Sequence, residues 1–143
     1  MVARAAEAEW KGSLQEGAGT MKLGSGAFEG RYSFGSRFGS EKGTNPEELI
    51  AAAHAGCFSM ALALGLGQAG FTPRRIHTTA KAQIEQVADG FRITRIELDT
   101  EAEVPSIDDA SFREQAEAAK RGCPVSRALA GTEITLSARL AKH

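Results

Sequence analysis

A long, alanine-rich helix is the feature that most limits what this chain can fold into. Thr44 or Asn45 can cap its start, and Pro46 fits the first turn, where a helix needs no backbone N–H donor. The helix is expected to run to about Leu66. Five of its residues recur at helical spacing: Leu49, Ala53, Cys57, Met60 and Leu64. We therefore expect a central, buried helix against which the other elements pack.

Strand patterns lie on both sides of this helix in the sequence. Before it, short segments separated by glycines predict an antiparallel meander over residues 6–11, 20–23 and 28–33. After it, two longer segments at residues 76–87 and 91–104 are joined at Asp89-Gly90, which is a strong hairpin signal.

The remaining sequence predicts two helices and a last strand. Residues 107–109 can cap a helix over 110–121, and Pro124 begins a short helix that reaches about Ala130. Residues 133–140 then alternate as a strand does. This order predicts an α+β fold with a mainly antiparallel sheet, in a single domain over residues 1–143.

Charge and hydropathy exclude several classes of protein. The 17 basic and 18 acidic residues nearly cancel and form no dense basic patch, so nothing favours a nucleic-acid partner. The first ten residues are charged and lack the apolar core of a signal peptide. The most apolar run, residues 60–66, is too short to span a bilayer. We expect a cytoplasmic protein that binds neither nucleic acid nor membrane.

Cys57 and Cys123 are the two thiols of the chain and lie far apart in the sequence. One interpretation is a pair of buried small hydrophobic residues, which free cysteines often are. The other is a pair that meets in space and cycles between dithiol and disulfide, because cytoplasmic disulfides are usually transient. Cys123 precedes Pro124 at an expected helix start, where free N–H groups stabilise a thiolate. Cys57 lies in mid-helix, where burial disfavours a thiolate unless a cation is near.

Two further patterns have weaker meanings. The letters from Gly65 to Gly70 match a dinucleotide-binding motif, but they follow a helix and not a strand, so they predict a helix end and no cofactor. His54 lies three residues before Cys57 and can polarise its thiol, although a surface or interface histidine is the favoured interpretation. His77 and His143 are not grouped with it, and we expect no metal site.

Three motifs in order resemble the family of osmotically inducible protein C (OsmC) and the organic hydroperoxide resistance proteins. They are EKGTNPEEL at residues 41–49, AAHAGCFSMAL at 52–62 and GCPVS at 122–126. The second and third motifs are more similar to the OsmC branch. The resemblance implies antiparallel sheets wrapped around central helices in an intertwined homodimer. It also implies a thiol-dependent peroxidase that reduces organic hydroperoxides.

The resemblance also assigns four site residues. Cys57 matches the peroxidatic cysteine, which becomes a sulfenic acid, and Cys123 matches the resolving cysteine, which forms a disulfide with it. An external dithiol of the lipoyl type would then reduce that disulfide. Arg37 and Glu47 match the family arginine and glutamate. Arg37 supplies the cation that Cys57 lacks, and Glu47 can hold Arg37 through a bidentate ion pair.

The position of Glu47 leaves one question open. Ten residues at about 1.5 Å per residue place it roughly 15 Å from Cys57 along the helix, so it acts through Arg37 or reaches Cys57 from a second subunit. The alternative function is a non-catalytic thiol redox sensor or binding module that uses the same cysteine pair. A structural dimer with inert thiols is a third interpretation. The sequence does not determine the preferred hydroperoxide, the physiological reductant, the regulation or the role of His54.

Overall fold

The computed structural model describes residues 1–141, so His143 lies outside the described residues. Contacts between Cα atoms divide the chain into two compact units: an N-terminal unit, Met1–Leu49, and a C-terminal unit that begins at Ile50. The single domain expected over residues 1–143 stays a prediction. The α+β class is confirmed, because each unit combines a three-stranded sheet with helical segments.

The N-terminal unit contains the expected antiparallel meander. Its strands are β1 (Ala6–Lys11), β2 (Ala18–Leu23) and β3 (Glu29–Tyr32), paired in that order. Gly19 in β2 lies opposite Trp10 on one side and Tyr32 on the other. A Cβ atom at Gly19 would lie 2.7 Å from the Tyr32 ring and 2.8 Å from the Trp10 ring. Glycine at this position therefore lets the two rings meet, with centroids 5.2 Å apart.

A short helix, α1 (Phe34–Phe38), follows β3 and was not predicted from the sequence. Its start is stabilised by a capping box, in which the Ser36 N–H donates to Ser33 Oγ and the Ser33 N–H donates to Ser36 Oγ. Ser36 Oγ also donates to the carbonyl of Thr44 at 2.7 Å. Five residues with a glycine among them are too few to show helical periodicity, but they fix the position of Arg37.

The long helix α2 (Pro46–Gln68) has nearly the predicted bounds. Asn45 caps its start, because its Oδ1 accepts the Glu48 N–H at 2.8 Å. The Thr44 hydroxyl donates to the Glu48 carboxylate at 2.7 Å. Gly70 follows the helix with a φ of 93°, a conformation that favours glycine, so the expected helix end is confirmed.

The C-terminal unit contains a second sheet in the order β4 (Arg75–Val87), β5 (Gly90–Glu103) and β6 (Glu133–Leu140). The predicted β4–β5 hairpin is confirmed, with a bulge between Gln83 and Ile84. The expected mainly antiparallel pairing is present in β1–β2, β2–β3 and β4–β5, whereas β6 pairs parallel to β5. Two helices form the crossover between them, α3 (Asp109–Gly122) and α4 (Pro124–Ala128), and a crossover of this kind permits parallel pairing.

One face of α2 packs into the core of the C-terminal unit. The helix contributes Phe58, Leu62 and Leu66, all fully buried. The other core residues come from β5, the residue after β5, α3 and the residue after α3. They are Ile96, Leu98, Ala102, Val104, Phe112, Ala116, Ala119 and Cys123.

The stripe expected to be buried on α2 is wrong in part. Met60 is 77% exposed and Leu64 is 63% exposed, whereas His54 is fully buried. The helix is apolar on nearly all sides, so its sequence pattern does not identify the face that meets the sheet. The most apolar 18-residue stretch of α2 has a mean hydropathy of 1.8, and 22% of that stretch is buried. By length and composition alone α2 could cross a bilayer, so residues 60–66 were too short a segment on which to judge this.

Candidate active site

Arg37 and Glu47 form a bidentate ion pair in the N-terminal unit. Arg37 Nε lies 3.0 Å from Glu47 Oε1 and 3.2 Å from Oε2, and Arg37 Nη2 lies 2.7 Å from Oε1. The Glu47 side chain is 8% exposed and the Arg37 side chain 35% exposed. The pair that the sequence analysis expected is thus present, with its carboxylate buried and part of the guanidinium accessible.

An aromatic cavity of about 430 Å³ lies beside Arg37. Phe34 and Phe38 meet within its wall, with ring centroids 5.0 Å apart, and the Arg37 guanidinium carbon lies 5.3 Å from the centre of the Phe38 ring. The cavity is lined by Trp10, Gly12, Leu14, Tyr32, Ser33, Phe34, Arg37 and Phe38. This arrangement can hold an apolar group next to a charged donor.

The sequence analysis identified only part of this cavity. The sequence makes Phe38, Phe58 and Met60 candidates to line an entrance for a bulky hydroperoxide. Phe38 lines this cavity, but Phe58 is fully buried in the core of the C-terminal unit and Met60 is exposed on α2. Trp10 and Tyr32 were missed, since they lie on strands far from every motif. The alternation that places both on one face of the sheet was the available signal.

The two cysteines lie together in the C-terminal unit. Both are free thiols, with Cys57 partly exposed and Cys123 fully buried. Burial raises the pKa of Cys57, and the hydrogen bond and charge of the neighbouring Cys123 raise it further. A hydrogen bond from the backbone N–H of Val125 acts in the opposite direction and lowers the pKa of Cys57.

Cys123 caps helix α4, as its position before Pro124 predicts. Its Sγ accepts the backbone N–H of Ser126 at 3.3 Å. Its thiol donates to the Ser126 hydroxyl at 3.2 Å. The same residue ends α3, where its backbone N–H donates to the carbonyl of Ala119 at 2.9 Å. Cys123 is therefore held by two helix ends and has little freedom to move.

His54 is not the surface or interface residue that the sequence analysis favoured. Its side chain is fully buried, and its Nε2 lies 2.7 Å from the hydroxyl of Ser126. Burial lowers the pKa of His54 from its usual value of 6.5, which keeps the imidazole neutral near neutral pH. Its hydrogen-bond partner, Ser126, also contacts Cys123.

Ser126 was missed as a site residue. Its position three residues after Cys123 is where a helix start presents the N–H that a cap accepts, so the capping pattern was the available signal. Within residues 1–141, no group of three or more His, Cys, Asp or Glu side chains is arranged to hold a metal ion.

The site residues therefore occupy two places in the chain. Arg37 and Glu47 lie together in the N-terminal unit, and Cys57 and Cys123 lie together in the C-terminal unit. One place offers a buried ion pair beside an apolar cavity. The other offers two thiols in contact, with a hydroxyl and an imidazole behind them. This combination is typical of thiol-based redox enzymes.

Comparison with known proteins agrees with this class. The family described as OsmC-like protein matches residues 39–137. The chain is 52% identical over 135 residues to peroxiredoxin OsmC of Escherichia coli K12, which covers 94% of each protein. It is 32% identical over 97 residues to the organic hydroperoxide resistance protein of Xanthomonas axonopodis pv. citri, which covers 66% of each.

A solved structure supports the same fold. The organic hydroperoxide resistance protein OhrB of Bacillus subtilis superposes with a TM-score of 0.73 over 96% of this chain and 98% of that one. The two sequences are 22% identical, so this likeness concerns the fold alone. Together with the sequence matches, these findings define the class as a thiol-dependent peroxidase. The chain belongs to the OsmC-like family.

Proposed function

We propose that this protein reduces organic hydroperoxides to alcohols, with Cys57 as the attacking thiol and Cys123 as the resolving thiol. The observation that supports this most is the contact between the two thiols in the C-terminal unit. The Cys57 thiolate attacks the peroxide oxygen, an alcohol leaves, and Cys57 becomes a sulfenic acid. Cys123 then condenses with the sulfenic acid to give the disulfide and water.

Arg37 is proposed to hold the thiolate and the peroxide. The surroundings of Cys57 in its own unit raise the pKa of its thiol, so a cation is needed to favour the thiolate. Arg37 is fixed by Glu47 through Nε and Nη2, and Nη1 takes no part in that pair. The adjoining aromatic cavity, of about 430 Å³, suits the organic part of a hydroperoxide.

The proposed assembly is an intertwined homodimer. Helix α2 exposes apolar and small residues on the face opposite its buried side, and large exposed apolar faces mark interaction sites. These residues are Ala53, Gly56, Met60, Leu64 and Gly67. A second copy of α2 laid on this face would bury Met60 and Leu64, and it would allow Arg37 and Glu47 to act on the Cys57 of the partner subunit.

The remaining parts of the proposal follow from the resemblance to the family. An external dithiol of the lipoyl type reduces the Cys57–Cys123 disulfide, the chain forms a single domain over residues 1–143, and it functions in the cytoplasm. Stability of the disulfide in that compartment is limited, because cytoplasmic thiol pools are reducing. The cycle therefore requires a reductant and no bound cofactor.

The proposal is tested by turnover with cumene hydroperoxide or tert-butyl hydroperoxide and excess dithiothreitol. We expect many equivalents of peroxide to be consumed per chain. Cys57→Ser should abolish turnover. Cys123→Ser, treated with peroxide in the absence of dithiol, should gain one oxygen on Cys57 and then stop. Full activity of Cys57→Ser would show that the roles are wrongly assigned. Consumption of one equivalent only, despite excess dithiol, would favour a redox sensor that uses the same cysteine pair.

A further inference from the structure

A buried chain of hydrogen bonds runs from His54 through Ser126 to Cys123 in the C-terminal unit. His54 Nε2 lies 2.7 Å from Ser126 Oγ, and Ser126 Oγ lies 3.2 Å from Cys123 Sγ. His54 and Cys123 are fully buried and Ser126 is 5% exposed. His54 comes from α2 and the other two residues from the start of α4, so the tertiary fold brings these three side chains together.

The hydrogen-bond roles follow from the donors that are present. The Cys123 thiol donates to Ser126 Oγ, while the Ser126 backbone N–H donates to Cys123 Sγ. The Ser126 hydroxyl hydrogen then has His54 Nε2 as an acceptor. Accepting at Nε2 places the ring hydrogen on Nδ1, which has no hydrogen-bond partner in the part of the chain that the structure describes.

Burying these three polar side chains costs free energy, which suggests that they have a function. Buried polar groups lose their contacts with water, and apolar residues of similar size would fill the same space without that cost. His54 lies one turn from Phe58 on the face of α2 that packs into the core. A leucine there would continue the apolar pattern of Phe58, Leu62 and Leu66. The polar chain therefore requires an explanation, and it ends at a sulfur atom that the proposed function uses.

Cys57 and three basic residues lie near these hydrogen bonds, and Glu117 pairs with one of the three, Lys120, at 3.3 Å. Cys57 contacts Cys123. A surface cavity of about 420 Å³ has Ser126 in its wall together with three basic residues: Lys120, Arg121 and Arg127. Positive charge on this side favours negative charge at the sulfur end of the chain and disfavours a long-lived imidazolium. Burial of His54 has the same effect, since it lowers the pKa of the imidazole.

We propose that Ser126 and His54 remove the proton from Cys123 while this thiol resolves the Cys57 sulfenic acid, an inference that rests on the proposed function. Cys123 Sγ passes its proton to Ser126 Oγ as the Ser126 hydroxyl proton moves to His54 Nε2. The Cys123 sulfur attacks the Cys57 sulfur, the S–S bond forms, and the S–O bond breaks. The departing hydroxide regains one proton from the imidazolium through Ser126 and leaves as water.

Atoms and electrons balance in this step. Cys123 is oxidised from thiol to disulfide, and the Cys57 sulfur is reduced from sulfenic acid to the same disulfide. The peroxide that formed the sulfenic acid is the oxidant. Ser126 touches the reacting sulfur and is a catalytic residue, whereas His54 acts through Ser126 and is a positioning residue.

The test separates the two chemical steps in the full-length, reduced protein. Samples mixed with tert-butyl hydroperoxide are quenched at intervals and their masses measured, which distinguishes one added oxygen from the loss of two hydrogens. We expect His54→Gln and Ser126→Ala to oxidise Cys57 within about threefold of the wild-type rate. Disulfide formation should slow by about 100-fold near pH 7, because a positioned base contributes about 10²–10⁴-fold.

The dependence of the rate of disulfide formation on pH distinguishes loss of a base from loss of packing. In the wild type, disulfide formation should rise with pH and level off by about 6.5, the value below which the pKa of buried His54 lies. In His54→Gln the rate should keep rising, because hydroxide replaces the imidazole. Ser126→Thr keeps the hydroxyl and should restore most of the rate.

Ser59→Ala is the matched control. Ser59 lies on the same helix as His54 and its hydroxyl bonds to the carbonyl of Ala55 and to Thr78, each at 2.8 Å. Its removal should leave disulfide formation unchanged. A wild-type rate and pH profile in both Ser126→Ala and a folded His54→Gln would overturn the inference; where His54→Gln fails to fold, Ser126→Ala decides. A wild-type protein that shows neither an added oxygen nor the loss of two hydrogens would overturn the proposed function as well.

Discussion

Replacing Glu47 with glutamine tests whether the ion pair with Arg37 prepares the site. Glutamine keeps one oxygen that can accept from Arg37, but it places an amide donor where Oε2 now accepts Arg37 Nε at 3.2 Å. The change removes one hydrogen bond and takes the negative charge from the acceptor of the other two, which still have the charged guanidinium as donor. We expect the lost bond and the weakened pair together to cost about 2–3 kcal/mol, since a hydrogen bond to a charged group contributes roughly 1.5–3 kcal/mol.

The sum is reduced by solvent. The Glu47 side chain is 8% exposed, but that of Arg37 is 35% exposed, and water can replace part of what is lost. We therefore expect Glu47→Gln to lower the free energy of unfolding by about 1–2 kcal/mol in urea titrations. The larger effect should fall on activity, because the guanidinium that we propose holds the thiolate and the peroxide loses its anchor. The second-order rate of Cys57 oxidation should fall by about 10–100-fold, which corresponds to roughly 1.4–2.8 kcal/mol.

Glu48→Gln provides the control for this experiment. Glu48 is the neighbouring carboxylate, accepts from Thr44 at 2.7 Å, and lies in the same first turn of α2. Loss of this charge changes the helix start by a similar amount but leaves Arg37 paired. Equal rates of Cys57 oxidation in the two variants would refute the argument that Glu47 acts through Arg37. Stopped-flow measurement at several peroxide concentrations gives the rate directly.

Two further predictions concern the exposed and buried faces of α2. Met60→Glu places a charge on the exposed apolar face and should shift the protein from dimer to monomer in light scattering, whereas Gln68→Glu at the helix end should not. Because burial lowers the pKa of His54, its contribution to stability is present above its usual value of 6.5 and is lost as pH falls through 6.5 towards the folded value. Urea unfolding between about pH 5 and 7.5 should show this slope, and His54→Gln should abolish it.

Local patterns predicted those elements whose signals lie within a few residues. The cap at Asn45, the Asp89-Gly90 hairpin and the start of α4 at Pro124 depend on neighbouring residues alone, and the structure contains each. The face of α2 that is buried was not predictable in this way. It depends on where β5 and α3 lie, and the helix is apolar on nearly every side. The parallel pairing of β6 likewise depends on how α3 and α4 return the chain to the sheet.

The candidate site likewise contains contacts that could be predicted from the sequence and contacts that could not. The ion pair of Arg37 with Glu47 was expected because both match residues of the family, and the chain places them in contact. Ser126 joins His54 across many intervening residues, and nothing in the sequence near either of them signals that contact. Side chains that meet only through tertiary packing, such as these two, cannot be paired from periodicity or capping signals.

The raised pKa of Cys57 reduces the fraction of thiolate, but it remains compatible with the proposed attacking role of this residue. A thiolate with a higher pKa is the stronger nucleophile once formed, so burial penalises the amount of thiolate more than its reactivity. A guanidinium brought close to the sulfur, as proposed for Arg37, would offset that penalty, because its charge persists when it is buried. Cys123 needs no such cation, since the Ser126 N–H and hydroxyl already contact its sulfur. The two thiols thus have different surroundings, and in the proposed cycle the first step depends on Arg37 and the second on Ser126.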